Sequence, residues 1–117
     1  MRICKGDIFW ADLGMGYGSE QGGCRPVVIL QNDTGNYFSS TVIAAVTSTH
    51  KQPDFPTHVK VNDLSCGLDR PSTILLEQIR TIDKTRLERK IGHIDHKTLA
   101  LVDEAILASF GIINKNL

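Results

Sequence analysis

Few side chains in this sequence combine a reactive type with a useful spacing. Cys4, Cys24 and Cys66 are odd in number, far apart and without C-x-x-C spacing. Neither a disulfide scaffold nor a structural zinc is expected from them. Cys24 adjoins Arg25, a cation that lowers the pKa of a nearby thiol and so favours a nucleophile. The competing reading is a small apolar filler. His93 and His96 stand three residues apart, but Gly92 interrupts the segment and no third ligand is near, so no metal site is expected. The stretch Gly14-Met15-Gly16-Tyr17-Gly18-Ser19-Glu20-Gln21-Gly22-Gly23 is polar and glycine-rich. It lacks the Gly-Lys-Ser/Thr ending and following helix of a phosphate-binding P-loop. A polar loop this long either binds something or is merely mobile. Within it, Tyr17 is the one aromatic side chain.

The elements that must hold these residues are short. The chain has 117 residues, 41% apolar and 22% charged, which suits one globular unit spanning residues 1–117. No apolar run approaches a membrane span or a signal-peptide core, so a soluble, cytoplasmic protein is expected. Thirteen basic and thirteen acidic side chains cancel. Any polyanion site must therefore be a local arrangement. The basic stretch from Arg80 to Lys97 reads as a solvated face. Apolar and β-branched runs at Asp7 to Leu13, Pro26 to Gln31, Thr41 to Thr47, Thr57 to Val61, Ser72 to Leu75 and Gln78 to Ile82 predict six short strands. The second and third of these should be antiparallel neighbours. Asn32-Asp33-Thr34-Gly35-Asn36 reads as a turn in which Gly35 or an Asn takes positive φ. A short helical turn is expected from Asp83 to Glu88, with Asp83 as its N-cap. A longer helix should run from Asp95 to Gly111 and bury Leu99, Val102, Ile106 and Phe110. The fold class is mainly β with α (α+β), a small SH3-like barrel with a C-terminal helix, an architecture that serves many functions.

Five ordered motifs narrow the choice. They are Gly6-Asp7-Ile8 with Ala11-Asp12-Leu13, Gly18-Ser19-Glu20-Gln21-Gly22-Gly23-Cys24-Arg25-Pro26-Val27-Val28, Gln31-Asn32-Asp33, Pro56-Thr57-His58-Val59, and Leu76-Glu77-Gln78-Ile79-Arg80-Thr81-Ile82-Asp83. From about residue 5 to residue 111 the pattern resembles the MazF/PemK toxin family of ribosome-independent mRNA interferases. The resemblance implies a barrel of the CcdB/PemK type and a metal-independent endoribonuclease with no cofactor, cutting single-stranded RNA at short sequences. It also implies a homodimer and a cognate, MazE-like antitoxin. On the family's catalytic pattern the Gly-Gly-x-Arg-Pro arginine falls on Arg25, and the threonine ending the third strand on Thr47. The strand before Thr47 is one residue short of the pattern, and Gly14-Met15-Gly16-Tyr17 replaces a Ser-Pro with small apolar residues. Because strand side chains alternate, a slip sends each to the other face. Ser48 is the substitute hydroxyl if no bulge absorbs the deletion.

RNA cleavage of this kind needs a polarised 2′-hydroxyl, a stabilised phosphorane and a protonated 5′-oxygen. Attack is intramolecular, so orientation does much of the work. Arg25 suits the phosphorane, since its planar fork stays charged and donates to phosphoryl oxygens, and Thr47 can donate another bond. A guanidinium is a poor base, which leaves Glu20, Glu77 and His58 as candidates, Glu20 first. His58 has a competing reading as a strand or capping residue. RNA recognition would use Tyr17, Ser19, Glu20, Gln21, Asn32, Glu77, Gln78 and Arg80, with amides and carboxylates reading base edges and arginines holding phosphates. The apolar side chains Phe9, Trp10 and Met15 are candidates for the dimer contact, and an acidic or amphipathic antitoxin tail would compete for the RNA groove. Two alternatives stand beside this reading. One is a CcdB-like gyrase-binding toxin, although the only tryptophan, Trp10, lies at the opposite end from the one that carries that action. The other is a catalytically silent relative that only binds RNA or antitoxin.

Overall fold

A computed structural model describes residues 1–114. The chain order is β1 (Asp7–Asp12), β2 (Cys24–Ile29), α1 (Asp33–Phe38), β3 (Thr41–Ser48), β4 (His58–Val61), β5 (Ser72–Asp83), β6 (Leu87–His93) and α2 (His96–Ser109), with short 3₁₀ turns at Leu64–Cys66 and Lys84–Arg86. The six strands form one antiparallel sheet in the order β4-β5-β3-β2-β1-β6. Its two ends approach each other through the turn after β4. A Cβ on Gly92 in β6 would strike the Cys66 carbonyl at 1.7 Å, so only glycine lets that turn close the barrel.

Alternation along the central strands supplies a core on each face. Ile8, Val28 and Ala45 join Val59, Ile74 and the α2 residues Val102 and Ala105. Phe9, Val27 and Ala44 join Ile29, Val46 and Ile82 on the other face. Both faces are covered, which explains why β2 and β3 read as nearly continuous apolar runs.

Several expectations are corrected. Ser72 to Leu75 and Gln78 to Ile82 are parts of one strand, β5, and the sixth strand is Leu87–His93, within the stretch read as a solvated basic face. Only Leu87 of that edge strand is buried, so charged Glu88, Arg89 and Lys90 mask it. The Asn32–Asn36 cluster opens a helix: Asn32 Oδ1 accepts from Gly35 N at 2.8 Å, and Gly35 does not take positive φ. Asp83 caps its 3₁₀ turn as expected, and Asp95 caps α2 by accepting from Thr98 N at 2.8 Å. Phe110 lies just beyond α2 and is exposed, while Ala105 takes the core position.

Candidate active site

Arg25 enters the site as the second residue of β2, where the chain leaves the glycine-rich loop. The neck of the loop is closed by backbone hydrogen bonds: Leu13 N donates to Gly23 O at 3.0 Å and Gly23 N to Gly14 O at 2.6 Å. Gly16 and Gly22 lie so close that a Cβ on Gly22 would meet Gly16 N at 2.3 Å. The half-buried guanidinium then donates from Nε to Gly22 O (2.9 Å), and from Nη1 to Gln21 Oε1 (2.6 Å) and Thr47 O (3.1 Å). All three acceptors are neutral, and among the described residues none accepts from Nη2. The charge is fixed in direction, hydrogen-bonded to no carboxylate among the described residues, and open along one edge to an anion.

Thr47 lies across from it at the end of β3. Thr47 is buried, and its Oγ1 donates to Pro26 O at 2.6 Å. That hydroxyl can accept as it stands; to donate to a phosphoryl oxygen it must turn away from Pro26. Arg25 and Thr47 line one cleft together with Trp10, Thr49, His50, Asp69 and Arg70. Trp10 therefore faces this cleft, and Arg89 stacks over its ring at 5.5 Å. Ser48 is buried outside the cleft lining, its Oγ accepting from His50 N (3.2 Å) and Gln52 Nε2 (3.3 Å).

The β2–β3 register is regular through Val27↔Val46, Val28↔Ala45 and Ile29↔Ala44. The irregularity falls on β5 instead, where Ala45 pairs with Ile79 and Val46 with Leu75. Leu76, Glu77 and Gln78 thus arch out of register, a bulge that re-aims side chains at the edge of a site. Glu77, Gln78 and Arg80 line a second cleft with Glu20 and Gln21. Gln78 accepts from Gln21 N at 2.9 Å and donates to Ser19 O at 3.3 Å. Gln21 therefore joins the two clefts, its backbone on Gln78 and its side chain on Arg25. Glu20 accepts from Tyr17 N at 3.1 Å, while the Tyr17 side chain stands in solvent. Asn32 stands apart at the other end of β2, its carboxamide oxygen committed to capping α1. His58 bonds Glu77 rather than anything in the Arg25 cleft.

Trp10, His50 and Arg70, which the sequence left out of the site, come from another strand and from loops and carry no local signal, whereas Thr49 follows Thr47 by the two-residue period of a strand. For Cys24 the expected lowering by Arg25 is reversed. Partial desolvation, the Asp12 and Glu88 carboxylates and a hydrogen bond to Glu88 raise its thiol pKa. Asp12, Cys24 and Glu88 place three exposed donor atoms within 4.8 Å, an arrangement of a kind common on surfaces without an ion. His93 turns to Asp7, with Nδ1 2.8 Å from Oδ1.

Known proteins are similar in sequence and in fold. The family model described as "PemK-like, MazF-like toxin of type II toxin-antitoxin system" matches residues 4–110. A relative from Bacillus subtilis (strain 168), endoribonuclease EndoA, is 49% identical over 115 residues, covering 97% of this chain and 99% of that protein. The Mycobacterium tuberculosis toxin MazF-mt6 superposes with a TM-score of 0.75 at 26% identity, over 90% of this chain and 96% of that one. MazF from Deinococcus radiodurans shares the fold, with a TM-score of 0.82 at 20% identity over 95% and 98% of the two chains. With this match over nearly its whole described length, the chain belongs to the PemK/MazF family of toxins of type II toxin–antitoxin systems.

Proposed function

We infer that the protein is the endoribonuclease toxin of such a system, cutting single-stranded RNA by attack of a 2′-hydroxyl on the adjacent phosphate. The observation that carries the reading is the Arg25 guanidinium, held by three neutral acceptors beside Thr47 with its Nη2 edge open. A phosphate seated on Nη2 would gain charge in the phosphorane, where a preorganised cation is worth most. Thr47 Oγ1, released from Pro26 O, would supply a further donor. The products of this chemistry are a 2′,3′-cyclic phosphate and a 5′-hydroxyl end. Glu20, the first of the candidate bases, lines the second cleft rather than the Arg25 cleft, and its role is assigned to base reading.

Base reading is assigned to the second cleft, where Glu20, Gln21, Glu77 and Gln78 present amides and carboxylates to unpaired bases. Tyr17 adds an exposed ring for stacking. The unit is residues 1–117, acting as a homodimer in the cytoplasm, where mRNA is found. A cognate antitoxin is its natural inhibitor, in keeping with the solved mycobacterial endoribonuclease bound to its own antitoxin. No helix among the described residues is long and apolar enough to cross a membrane. The gyrase-binding alternative finds no support in the family match.

The test is incubation of purified protein on a long mixed-sequence RNA with excess EDTA, with cut sites and end groups mapped beside an Arg25→Ala control. Cuts at one short motif with cyclic phosphate ends, absent in the variant, are expected. Intact RNA would return the silent-relative reading.

A further inference from the structure

His58 opens β4 with its side chain only 3% exposed, and both ring nitrogens face oxygens that accept. Nδ1 lies 2.7 Å from the Pro53 carbonyl, and Nε2 lies 2.8 Å from Glu77 Oε2. A carboxylate has no proton to give, so the contact to Glu77 is held by an N–H that Nε2 donates. With both nitrogens engaged here, outside the lining of the Arg25 cleft, His58 is not placed to be the base.

The charged groups facing the ring are few. Glu77 comes from β5, where Leu75 is the cross-strand partner of His58. From the preceding loop comes Asp54, whose carboxyl is held below its usual range by Lys60, 2.6 Å away, and in part by His58. The Phe55 ring covers the imidazole, with centroids 5.1 Å apart. Thr57 Oγ1 donates to the other oxygen of Glu77 at 3.2 Å. Glu77 is thus clamped from two sides on the bulge whose next residue, Gln78, holds Ser19 and Gln21.

We propose that His58 is a positioning residue for RNA recognition, the N–H it donates to Glu77 fixing that carboxylate at the base-reading cleft. This rests on the ribonuclease reading above. Removing that donor weakens RNA binding, because a freed carboxylate must be ordered again at each binding event. The chemical step at Arg25 does not depend on the bridge, so KM moves and kcat does not.

The test is affinity for an RNA carrying a 2′-deoxy nucleotide at the cut position mapped above. His58→Phe, checked for folding by thermal melting, should bind about 10-fold more weakly than wild type. His58→Gln, which can donate an N–H to Glu77, should bind within about twofold of wild type. In cleavage, His58→Phe should raise KM and leave kcat unchanged. His58→Phe binding as well as wild type, or His58→Gln binding as weakly as His58→Phe, would overturn the clamp. A wild type that binds and cuts RNA while His58→Phe keeps its KM would sink the clamp alone, whereas a wild type that neither binds nor cuts RNA would sink the ribonuclease reading together with it.

Discussion

Arg25 and Asp7 are both charged, both held by three hydrogen bonds, and lie toward opposite ends of the β1–β2 pair. Asp7 is 1% exposed and surrounded by donors that include cations: Cys4 N at 2.7 Å and Lys90 Nζ at 3.0 Å on Oδ2, His93 Nδ1 at 2.8 Å on Oδ1. Arg25 is half-buried, and each of its acceptors is neutral. The first arrangement cancels a charge and ties the start of β1 to β6. The second holds a charge in place without cancelling it. A neutralised charge contributes to stability, and an oriented, uncancelled one is available to a substrate.

The contrast breaks first at Arg25. Arg25→Ala should lower the single-turnover cleavage rate by about 10²-fold or more, while its melting temperature stays within about 3 °C of wild type because no buried ion pair is lost. A variant that cuts normally, or one that simply unfolds, would show that Arg25 belongs with Asp7 as a structural charge. Next comes Thr47. Thr47→Val removes the Oγ1 donor and should cost about tenfold in kcat, whereas Thr47→Ser should stay near wild type. Ser48→Ala should leave kcat alone and lower stability by about 1 kcal/mol, since that hydroxyl only accepts from His50 N and Gln52. The reverse pattern would move the catalytic hydroxyl to Ser48.

The pairing of Arg25 with Thr47 was legible through the family resemblance, whose catalytic pattern falls on one continuous motif and on the end of one apolar strand. Alternation puts Thr47 and Ser48 on opposite faces, and the cleft includes Thr47 but not Ser48. What escaped has physical reasons. Glu77 and Gln78 interrupt an apolar run, so β5 reads as two strands, although a bulge lets the ladder continue around them. The Asn32 cluster uses the same side-chain chemistry for a turn and for a helix N-cap, and no local feature separates the two. Edge strand β6 buries one face at most. Arg70 and His50 arrive from loops far along the chain, and the Asp7 network joins residues 86 positions apart in sequence.

A smaller effect is expected at Tyr17. Its ring is 86% exposed and its backbone N–H alone is engaged, by Glu20. Tyr17→Ala should weaken RNA binding by about 5-fold, below the full value of a base stack because the ring is not preorganised. The cleavage products should keep the same end groups. Unchanged affinity and unchanged cut-site preference would remove Tyr17 from the RNA path.

The smallest effect on cleavage belongs to Asp7, and there the expectation is inverted. Burial opposes its charged form, but bonds from His93, Cys4 N and Lys90 outweigh burial and hold the carboxyl below its ordinary 3.8. The folded protein therefore binds fewer protons here than the unfolded chain does near that pH. The resulting stability is whole above the ordinary value and is lost as pH falls through the lower native one. Asp7→Asn has no such proton to gain. It should lower the melting temperature by about 10 °C at neutral pH and flatten the further loss that wild type shows as pH falls below the carboxyl's ordinary 3.8. Cleavage by the folded variant should remain within about twofold of wild type, because nothing in the Arg25 cleft touches this network. Parallel acid melting curves would exclude Asp7 as the acid-sensitive group. A large fall in cleavage rate with the fold intact would mean that the two charges are coupled through β1 and β2, and that cancelling one helps to aim the other.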